Sequence, residues 1–197
     1  MEISKKFSIM ILDYDNIPVI NKILVEYADS TRQSSSHELF KMEPINTFDV
    51  ALDLSYFRLN AEDETHLNNK LQEIIDKLIA MNLDYTIIDD ETKELHTSIT
   101  SISALDIKFD NLKIIPEGTY KQLDEIKNTK TEFGYCKGYK PAFRLVESKE
   151  IGNIELKPET VYLLSNSPEN HKKLKKYVSD FIMKINHDFI IEFRDFI

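Results

Sequence analysis

Residues 50–88, which read VALDLSYFRLNAEDETHLNNKLQEIIDKLIAMNLDYTII, contain the clearest succession of element types in this chain. Apolar side chains occupy every second position of the first seven residues, which predicts a half-buried strand. From Leu67 onward apolar residues recur every three or four positions, which predicts an amphipathic helix that starts at Asp63 or Glu64. Tyr85 to Ile88 predicts another strand, ended by three acids. The succession strand, helix, strand decides the fold class.

The residues before this stretch extend the pattern toward the start of the chain. Apolar residues alternate with others from Phe7 to Ile11, as in a strand. Asp15 or Asn16 can cap a helix that is entered through Pro18. The polar run from Ser30 to His37 predicts a loop, and a short strand is predicted after it. The order strand, helix, strand, strand, helix, strand is the split β-α-β pattern of ferredoxin-like folds.

The second half predicts a similar but less regular order. The apolar helix positions from Leu71 to Ile79 are repeated 103 residues later, and the two helices run into similar exits, NLDY and NHDF. In chain order the predicted elements are strands at Leu105–Phe109 and Leu112–Ile115, a short helix after Gly118, strands at Phe143–Val146 and Val161–Leu164, a helix capped by Ser165 or Ser167, and a strand at Phe189–Phe193.

We therefore predict an α+β fold with two similar α/β halves, as tandem ferredoxin-like (βαββαβ) units with mainly antiparallel sheets. Residues 1–100 form an acidic N-terminal half and residues 101–197 a C-terminal α/β half. Two alternatives stay open from the sequence. The halves can pack as one domain, or the chain can form one mixed sheet flanked by helices.

Composition restricts the classes of protein to which the chain can belong. The chain has 197 residues, of which 42% are hydrophobic, which is enough for a substantial core. Its single cysteine, Cys136, cannot form an internal disulfide, which favours a reducing compartment. No signal peptide and no membrane-spanning run is predicted, so we expect a cytoplasmic protein. The first glycine is Gly118, which argues against a phosphate-binding loop in the first half.

Charge is distributed unevenly along the chain. The net charge is −9, with 9 lysines and arginines against 19 acids in residues 1–100, and 16 against 15 in residues 101–197. An acidic surface repels phosphate backbones and favours basic partners. We therefore expect no nucleic-acid partner and no membrane partner, and the predicted partner is a basic protein, with a second copy of the chain as another candidate.

Two short motifs carry resemblances to enzymes. Asp13-Tyr14-Asp15 follows a hydrophobic strand and resembles the nucleophile motif of haloacid-dehalogenase-type phosphatases, although helix capping is the commoner role of such acids. His96-Thr97-Ser98-Ile99 resembles one motif of the 2H phosphoesterases, which implies acid–base catalysis by His96 and phosphate binding by Ser98. Those enzymes need two such motifs, and this sequence contains only the one at His96. No metal site and no cofactor site is predicted.

Two groups of residues are candidates for binding a partner. The segment from Phe133 to Arg144 interleaves aromatic and basic residues with glycines, as in a hairpin or a contact loop. Acids gather at predicted element ends, where they serve as caps or as a docking surface. The candidate binding residues are Asp13, Asp15, Glu62, Asp63, Glu64, Asp89, Asp90, Glu91, Tyr135, Lys137, Tyr139 and Lys140.

Three functions follow from these observations. The first is a non-catalytic protein-binding protein of the immunity or inhibitor type, of the kind found in bacteria, which neutralises a basic toxin or enzyme. The second is a phosphodiesterase that uses His96 and Ser98. The third is a module that senses a small ligand, because Asp13 to Pro18 resembles the first strand-to-helix turn of amino-acid-sensing ACT domains. We expect the first, because no complete catalytic motif is present.

Overall fold

The chain forms an α+β fold with two similar halves. The computed structural model describes residues 2–41, 49–108, 119–138, 143–147, 154–158 and 161–196. These residues contain four α-helices and two five-stranded antiparallel sheets, besides a separate two-stranded sheet. The chain divides into two compact units. Unit 1 is Met1–Phe40 with Ala51–Ile99, and unit 2 is Lys41–Val50 with Thr100–Ile197.

The first sheet is built from the first half of the chain. Its elements are β1 (Ile3–Ile11), α1 (Ile17–Tyr27), β2 (Ser30–Lys41), β3 (Asp49–Ala61), α2 (Glu64–Ala80), β4 (Thr86–Asp89) and β5 (Leu95–Thr97). A short 3-10 helix, Tyr14–Asn16, precedes α1. The strand order across the sheet is β2-β3-β1-β4-β5, so β1 lies between the two strands that are predicted from residues 50–88.

Alternation along β1 positions the core of unit 1. Phe7 and Ile9 point toward the helices, and the ring of Phe7 stacks on that of Phe57 with centroids 5.2 Å apart. Both helices bury their apolar positions against this face, as their period of 3.6 residues requires. The buried helical residues are Ile20, Ile23 and Leu24 of α1 and Leu67, Leu71, Ile74, Ile75 and Leu78 of α2.

The prediction of a loop over Ser30–His37 is wrong, because strand β2 runs through it from Ser30 to Lys41. β2 is the outermost strand of the first sheet and is hydrogen-bonded to β3. Main-chain hydrogen bonds hold such an edge strand, and they do not require apolar side chains. A polar sequence is therefore compatible with an edge strand, and the period-two pattern that identifies buried strands is absent from it.

The second half repeats this plan with additions. Its elements are β6 (Ser101–Lys108), α3 (Thr119–Asp124), a 3-10 helix (Glu125–Asn128), β7 (Lys130–Thr131), β8 (Gly134–Gly138), β9 (Phe143–Glu147), β10 (Ile154–Pro158), β11 (Val161–Ser165), α4 (Pro168–Ile185) and β12 (Ile190–Asp195). The strand order is β12-β6-β11-β8-β7, and β9 pairs with β10 separately. The predicted strand Leu112–Ile115 lies outside the described residues.

The similarity of the halves is one of topology. In each half the first strand pairs antiparallel with the strand before the long helix on one side and with the strand after it on the other. Each long helix also starts with a capping side chain: Asp63 accepts a hydrogen bond from the backbone N–H of His66, and Ser167 from that of Asn170. The same elements therefore recur in the same spatial order in both sheets.

One glycine in unit 2 is required by geometry. Gly134 starts β8 with φ +147°, and a Cβ atom there would lie 2.2 Å from the carbonyl oxygen of Leu164 and 2.7 Å from Oγ of Ser165. A backbone carbonyl cannot move aside as a flexible side chain can. Gly134 therefore permits β8 to lie against β11, and this contact helps enclose the core around Cys136.

Candidate functional site

Antiparallel pairing gathers six of the eight candidate carboxylates at one end of the first sheet. Ile3 at the start of β1 lies opposite Ala61 at the end of β3, and Phe7 lies opposite Asp89 at the end of β4. The acids that follow β3 and β4 therefore share this end, whereas Asp13 and Asp15 follow β1 at the other end. The gathered acids are Glu62, Asp63, Glu64, Asp89, Asp90 and Glu91.

Lysines of β1 neutralise part of this group. Nζ of Lys5 lies 3.0 Å from Oε1 of Glu64 and 3.6 Å from Oδ2 of Asp89, and Nζ of Lys6 lies 3.2 Å from Oδ2 of Asp90. The hydrogen bond to Glu64 acts with the nearby Asp89 to raise the pKa of Lys5 above its usual value, so this ammonium remains charged. These contacts reduce the negative charge that the end of the sheet presents to a partner.

Two of the candidate aspartates are buried, and their side chains accept hydrogen bonds from backbone N–H groups. Asp89 accepts hydrogen bonds from the N–H groups of Glu91 and Thr92, at 2.8 and 3.1 Å. Burial acts to raise the pKa of Asp89, but these hydrogen bonds and Lys5 outweigh it and hold the pKa below the usual value. Asp13, also buried, accepts from the N–H of Asp15 and starts the 3-10 helix. Asp13 is thus a capping residue.

One of the gathered acids, Glu62, lines a shallow depression of about 580 Å³ in unit 1. It is lined by Glu2, Asn60, Ala61, Glu62, His66 and Lys70, and we refer to it as the acidic depression. Its residues come from the start of β1, the end of β3 and the first turns of α2. Glu2 and Glu62 are exposed, and Asp63 and Glu64 follow directly.

The one lysine of this lining is paired within unit 1. Nζ of Lys70 donates to the carbonyl oxygen of Asn60 at 2.7 Å and to Oδ2 of Asp29 at 3.2 Å. Asp29 also accepts the N–H of Asn60 at 2.8 Å, and this bond, with the contribution of Lys70, lowers its pKa. The charge of Lys70 is therefore offset by Asp29, which leaves Glu2 and Glu62 to set the sign of the acidic depression.

The aromatic and basic candidates of the second half lie elsewhere. Tyr135 and Lys137 are in β8, where 6% and 5% of their surfaces are exposed. β8 lies between β11 and β7, so the residues predicted to form a contact loop are part of a sheet. Because a partner needs accessible side chains, we leave both residues out of the binding surface. Tyr139 and Lys140 lie outside the described residues.

The histidine motif forms the short edge strand β5. Ser98 follows β5, and its Oγ accepts the N–H of Tyr85 at 2.9 Å and contacts Oδ1 of Asp84 at 3.1 Å. His96 lies opposite Ile87 in the register of β5 with β4, and its Nε2 is 3.8 Å from Oε1 of Glu94. The hydroxyl that the phosphoesterase resemblance assigns to phosphate binding is therefore engaged in joining β5 to the start of β4.

Unit 2 contains a polar network, with Ser103, Ser165 and His171 buried and Asp195 at the surface, that sequence reasoning missed. Oγ of Ser103 lies 2.6 Å from Nε2 of His171 and 2.5 Å from Oδ1 of Asp195, and Oγ of Ser165 lies 3.0 Å from Nδ1 of His171. Lys175 donates to the same Asp195 oxygen at 2.6 Å. Ser103 lies 68 residues from His171 and 92 residues from Asp195 in the sequence, so no local spacing pattern predicts these contacts.

The direction of its hydrogen bonds excludes Ser103 as a nucleophile. The carboxylate of Asp195 can only accept, so the Ser103 hydroxyl donates to it and the neutral His171 donates Nε2–H to Ser103. A catalytic triad needs the opposite order, in which histidine accepts the serine proton. Ser165 does donate to His171, but Ser103 and Ser165 are both fully buried, so neither hydroxyl is accessible to a substrate. The network therefore joins β6, α4 and β12 structurally.

Neither a metal site nor a membrane-spanning helix is found in the described part of the chain. No three histidine, cysteine or acidic side chains there are grouped so that they could hold a metal ion. None of the described helices has the length and apolar character that crossing a membrane demands.

Comparison with known proteins identifies no relative that defines a function. No protein-family model matches the chain, and no curated protein matches it. A solved structure described as an unknown protein from Galdieria sulphuraria is similar over the whole length of both chains, at 10% identity and a TM-score of 0.30. A similarity this low supports no argument about this chain, so the proposal below rests on the residues themselves.

Proposed function

We propose that the chain is a non-catalytic protein-binding protein of the inhibitor or immunity type, which neutralises a basic enzyme or toxin by docking it at the acidic depression. The observation that carries the proposal is the pair of exposed carboxylates, Glu2 and Glu62, that line the acidic depression. Carboxylates in this arrangement attract a cationic surface and raise the rate of association.

The state of the enzyme-like motifs supports a binding function over a catalytic one. Asp13 caps the 3-10 helix, and the Ser98 hydroxyl is engaged with Tyr85 and Asp84. In the network of unit 2, the buried Ser103 donates its hydroxyl hydrogen to the carboxylate of Asp195. In each case the group that chemistry would need already has a partner within the protein. Among the described residues, no comparable arrangement of side chains supports the phosphodiesterase alternative or the ligand-sensing alternative.

The topology also suits an interaction module. The order β4-β1-β3-β2 in the first sheet, with α1 and α2 on one face, supports assigning unit 1 to the ferredoxin-like class. In this arrangement the start of β1, the end of β3 and the start of α2 meet at one end of the sheet. Glu2 directly precedes β1 and Glu62 lies in the short connection between β3 and α2, so neighbouring regular elements restrict both positions and little backbone freedom is lost on docking.

The proposal is tested by capturing the partner and then measuring its affinity. We expect the immobilised chain to retain a basic protein from extracts of its native cells at low salt. Calorimetry with that purified protein should give a dissociation constant that rises with salt between about 50 and 300 mM, because salt screens the charges. The double substitution Glu2→Gln with Glu62→Gln should weaken binding about 3- to 10-fold, since rim charges contribute modestly.

A matched variant separates the acidic depression from net charge. Glu26→Gln with Glu73→Gln removes the same charge from exposed positions on α1 and α2 and should leave the affinity unchanged. Equal weakening by both pairs would show that general charge acts and would refute the site. The proposed function would be refuted if the chain retained no basic protein, or if the protein that it retained were not inhibited.

A further inference from the structure

The strand β12 is the outermost strand of the second sheet, and within the described residues no other strand pairs with its outer edge. It is hydrogen-bonded to β6 on one side and stands first in the strand order. Ile190 is 55% exposed, and the side chains of Arg194 and Asp195 are 64% and 60% exposed. The strand at the other edge of this sheet, β7, has two residues, whereas β12 has six. An accessible edge of this length is a template for a further strand.

The register with β6 shows which backbone groups point outward. The N–H of Phe196 donates to the carbonyl oxygen of Ile102 at 2.9 Å, which continues the β12–β6 register. In an antiparallel ladder alternate residues exchange both hydrogen bonds with one neighbour. The backbone N–H and C=O groups of the even-numbered residues of β12 therefore point toward β6. The N–H and C=O groups directed at the outer edge are those of Ile191, Phe193 and Asp195.

We propose that β12 pairs antiparallel with β12 of a second copy of this chain, about a two-fold axis through Phe193, to form one continuous sheet across a homodimer. In this register Phe193 pairs with the partner's Phe193, and Ile191 pairs with the partner's Asp195. All three outward N–H groups and all three outward carbonyls then form hydrogen bonds. The proposal does not depend on the acidic depression, which belongs to unit 1.

Charge selects this register over its neighbours. Centring on Phe193 places Glu192 opposite the partner's Arg194, and the two-fold axis creates the pair twice. Centring on Glu192 would oppose two glutamates, and centring on Arg194 would oppose two arginines. Opposite charges directly across a ladder stabilise it and like charges destabilise it. The segment IIEFRD is therefore complementary to itself in one register only.

The guanidinium of Arg194 has the capacity for this additional contact. Its Nε lies 3.6 Å from Oδ2 of Asp106 on β6. A guanidinium carries five N–H donors, so a second carboxylate can bind its terminal nitrogens without displacing Asp106. The three charged residues near the edge, with both signs represented, also discourage pairing with an unrelated apolar strand. The occupant that fits the edge is thus a second copy.

A charge exchange tests the dimer with the full chain. Sedimentation equilibrium should show a wild-type dimer. Glu192→Arg and Arg194→Glu should each raise the dimer dissociation constant about tenfold or more, because each creates two like-charge contacts. The double variant with both changes should restore the dimer. A wild-type monomer at every concentration, or a double variant that stays as weak as the single variants, would overturn the proposal.

Hydrogen exchange provides a second readout that needs no substitution. The amides of Ile191, Phe193 and Asp195 should become more protected as the wild-type concentration rises, because these N–H groups are buried in the interface. The amides of Glu192 and Arg194 bond to β6 and serve as internal controls, with protection that does not depend on concentration. Equal concentration dependence in both sets, or in neither, would overturn the proposal.

Discussion

At the scale of single residues, Asp195 determines the order of the polar network in unit 2. Its Oδ1 accepts from Ser103 and from Lys175, and the hydrogen bonds of Lys175 and Ser103 lower the pKa of Asp195. Because the hydroxyl hydrogen of Ser103 is directed at Asp195, Oγ of Ser103 accepts Nε2–H from His171. Nδ1 of His171 is then the acceptor for the hydroxyl of Ser165. A neutral imidazole satisfies every one of these hydrogen bonds, so protonation is resisted.

The stability of the protein should therefore depend on pH through His171. Burial, with Lys175 nearby, lowers the pKa of His171 below its usual 6.5. At a pH between the two pKa values the imidazole of His171 is protonated in the unfolded chain but not in the folded chain. The free energy of unfolding is therefore highest above about pH 6.5 and decreases as the pH falls toward the pKa of the folded state. The slope is at most about 1.4 kcal/mol per pH unit for one proton.

Urea denaturation at several pH values measures this slope. His171→Gln keeps an N–H donor for Ser103 and cannot titrate, so it should flatten the dependence between about pH 7 and 5. His187→Gln removes an exposed histidine and should leave the slope as in the wild type. Equal slopes in the wild type and His171→Gln would show that another group is responsible.

At the scale of elements, an N-terminal capping residue determines where each of the two long helices begins. α4 starts after Ser167, whose Oγ accepts the N–H of Asn170 at 3.1 Å, and Pro168 occupies the first turn, where its missing donor costs nothing. α2 starts in the same way after Asp63. Both starts are predicted from the sequence, because a capping residue acts on its own neighbours.

Removal of one cap should destabilise its unit by a definite amount. Ser167→Ala should lower the free energy of unfolding by about 1 kcal/mol, because the Asn170 N–H loses its partner. Ser167→Asp retains an acceptor oxygen and should keep most of the stability. Chemical denaturation followed by far-UV circular dichroism measures both. An equal loss in the two variants would mean that the hydroxyl hydrogen bond is not the cause.

Edge strands show where prediction from sequence fails at this scale. The central strand β1 alternates because one face packs on the helices, and its pattern predicts it. β2 lies at the edge, and its polar sequence predicts a loop where a strand is found. The segment that begins at Phe133 is open to two interpretations, a hairpin or a contact loop, and β8 pairs with β7 as a hairpin and lies buried between β11 and β7. Position in the sheet, which sequence period does not report, decides both outcomes.

At the scale of the whole molecule, the single cysteine serves as a reporter of unfolding. Cys136 is fully buried in β8 among apolar residues from α3, α4, β6 and β11. Burial raises the pKa of its thiol to about 12, so the reactive thiolate is scarce in the folded protein. Because the chain has one cysteine, any thiol reaction reports on this core alone.

Labelling of Cys136 should therefore follow global opening of unit 2. In native buffer near pH 8 a disulfide reagent such as Ellman's should react slowly, at a rate that rises with denaturant, and in about 6 M guanidinium it should titrate one thiol at once. The destabilised Ser167→Ala variant should react faster than the wild type. Rapid labelling of the native protein would contradict the enclosed core.

The sequence by itself determined the types of most elements, the starts of the long helices, the two-part plan and the excess of acid in the first half, because period, capping and composition act over short distances. The tertiary structure alone decided which of those acids are exposed. Lys5 meets Glu64 across 59 residues, and Ser103 meets Asp195 across 92. Such meetings depend on the strand order of a sheet, which brings distant segments together and leaves no mark on local sequence spacing.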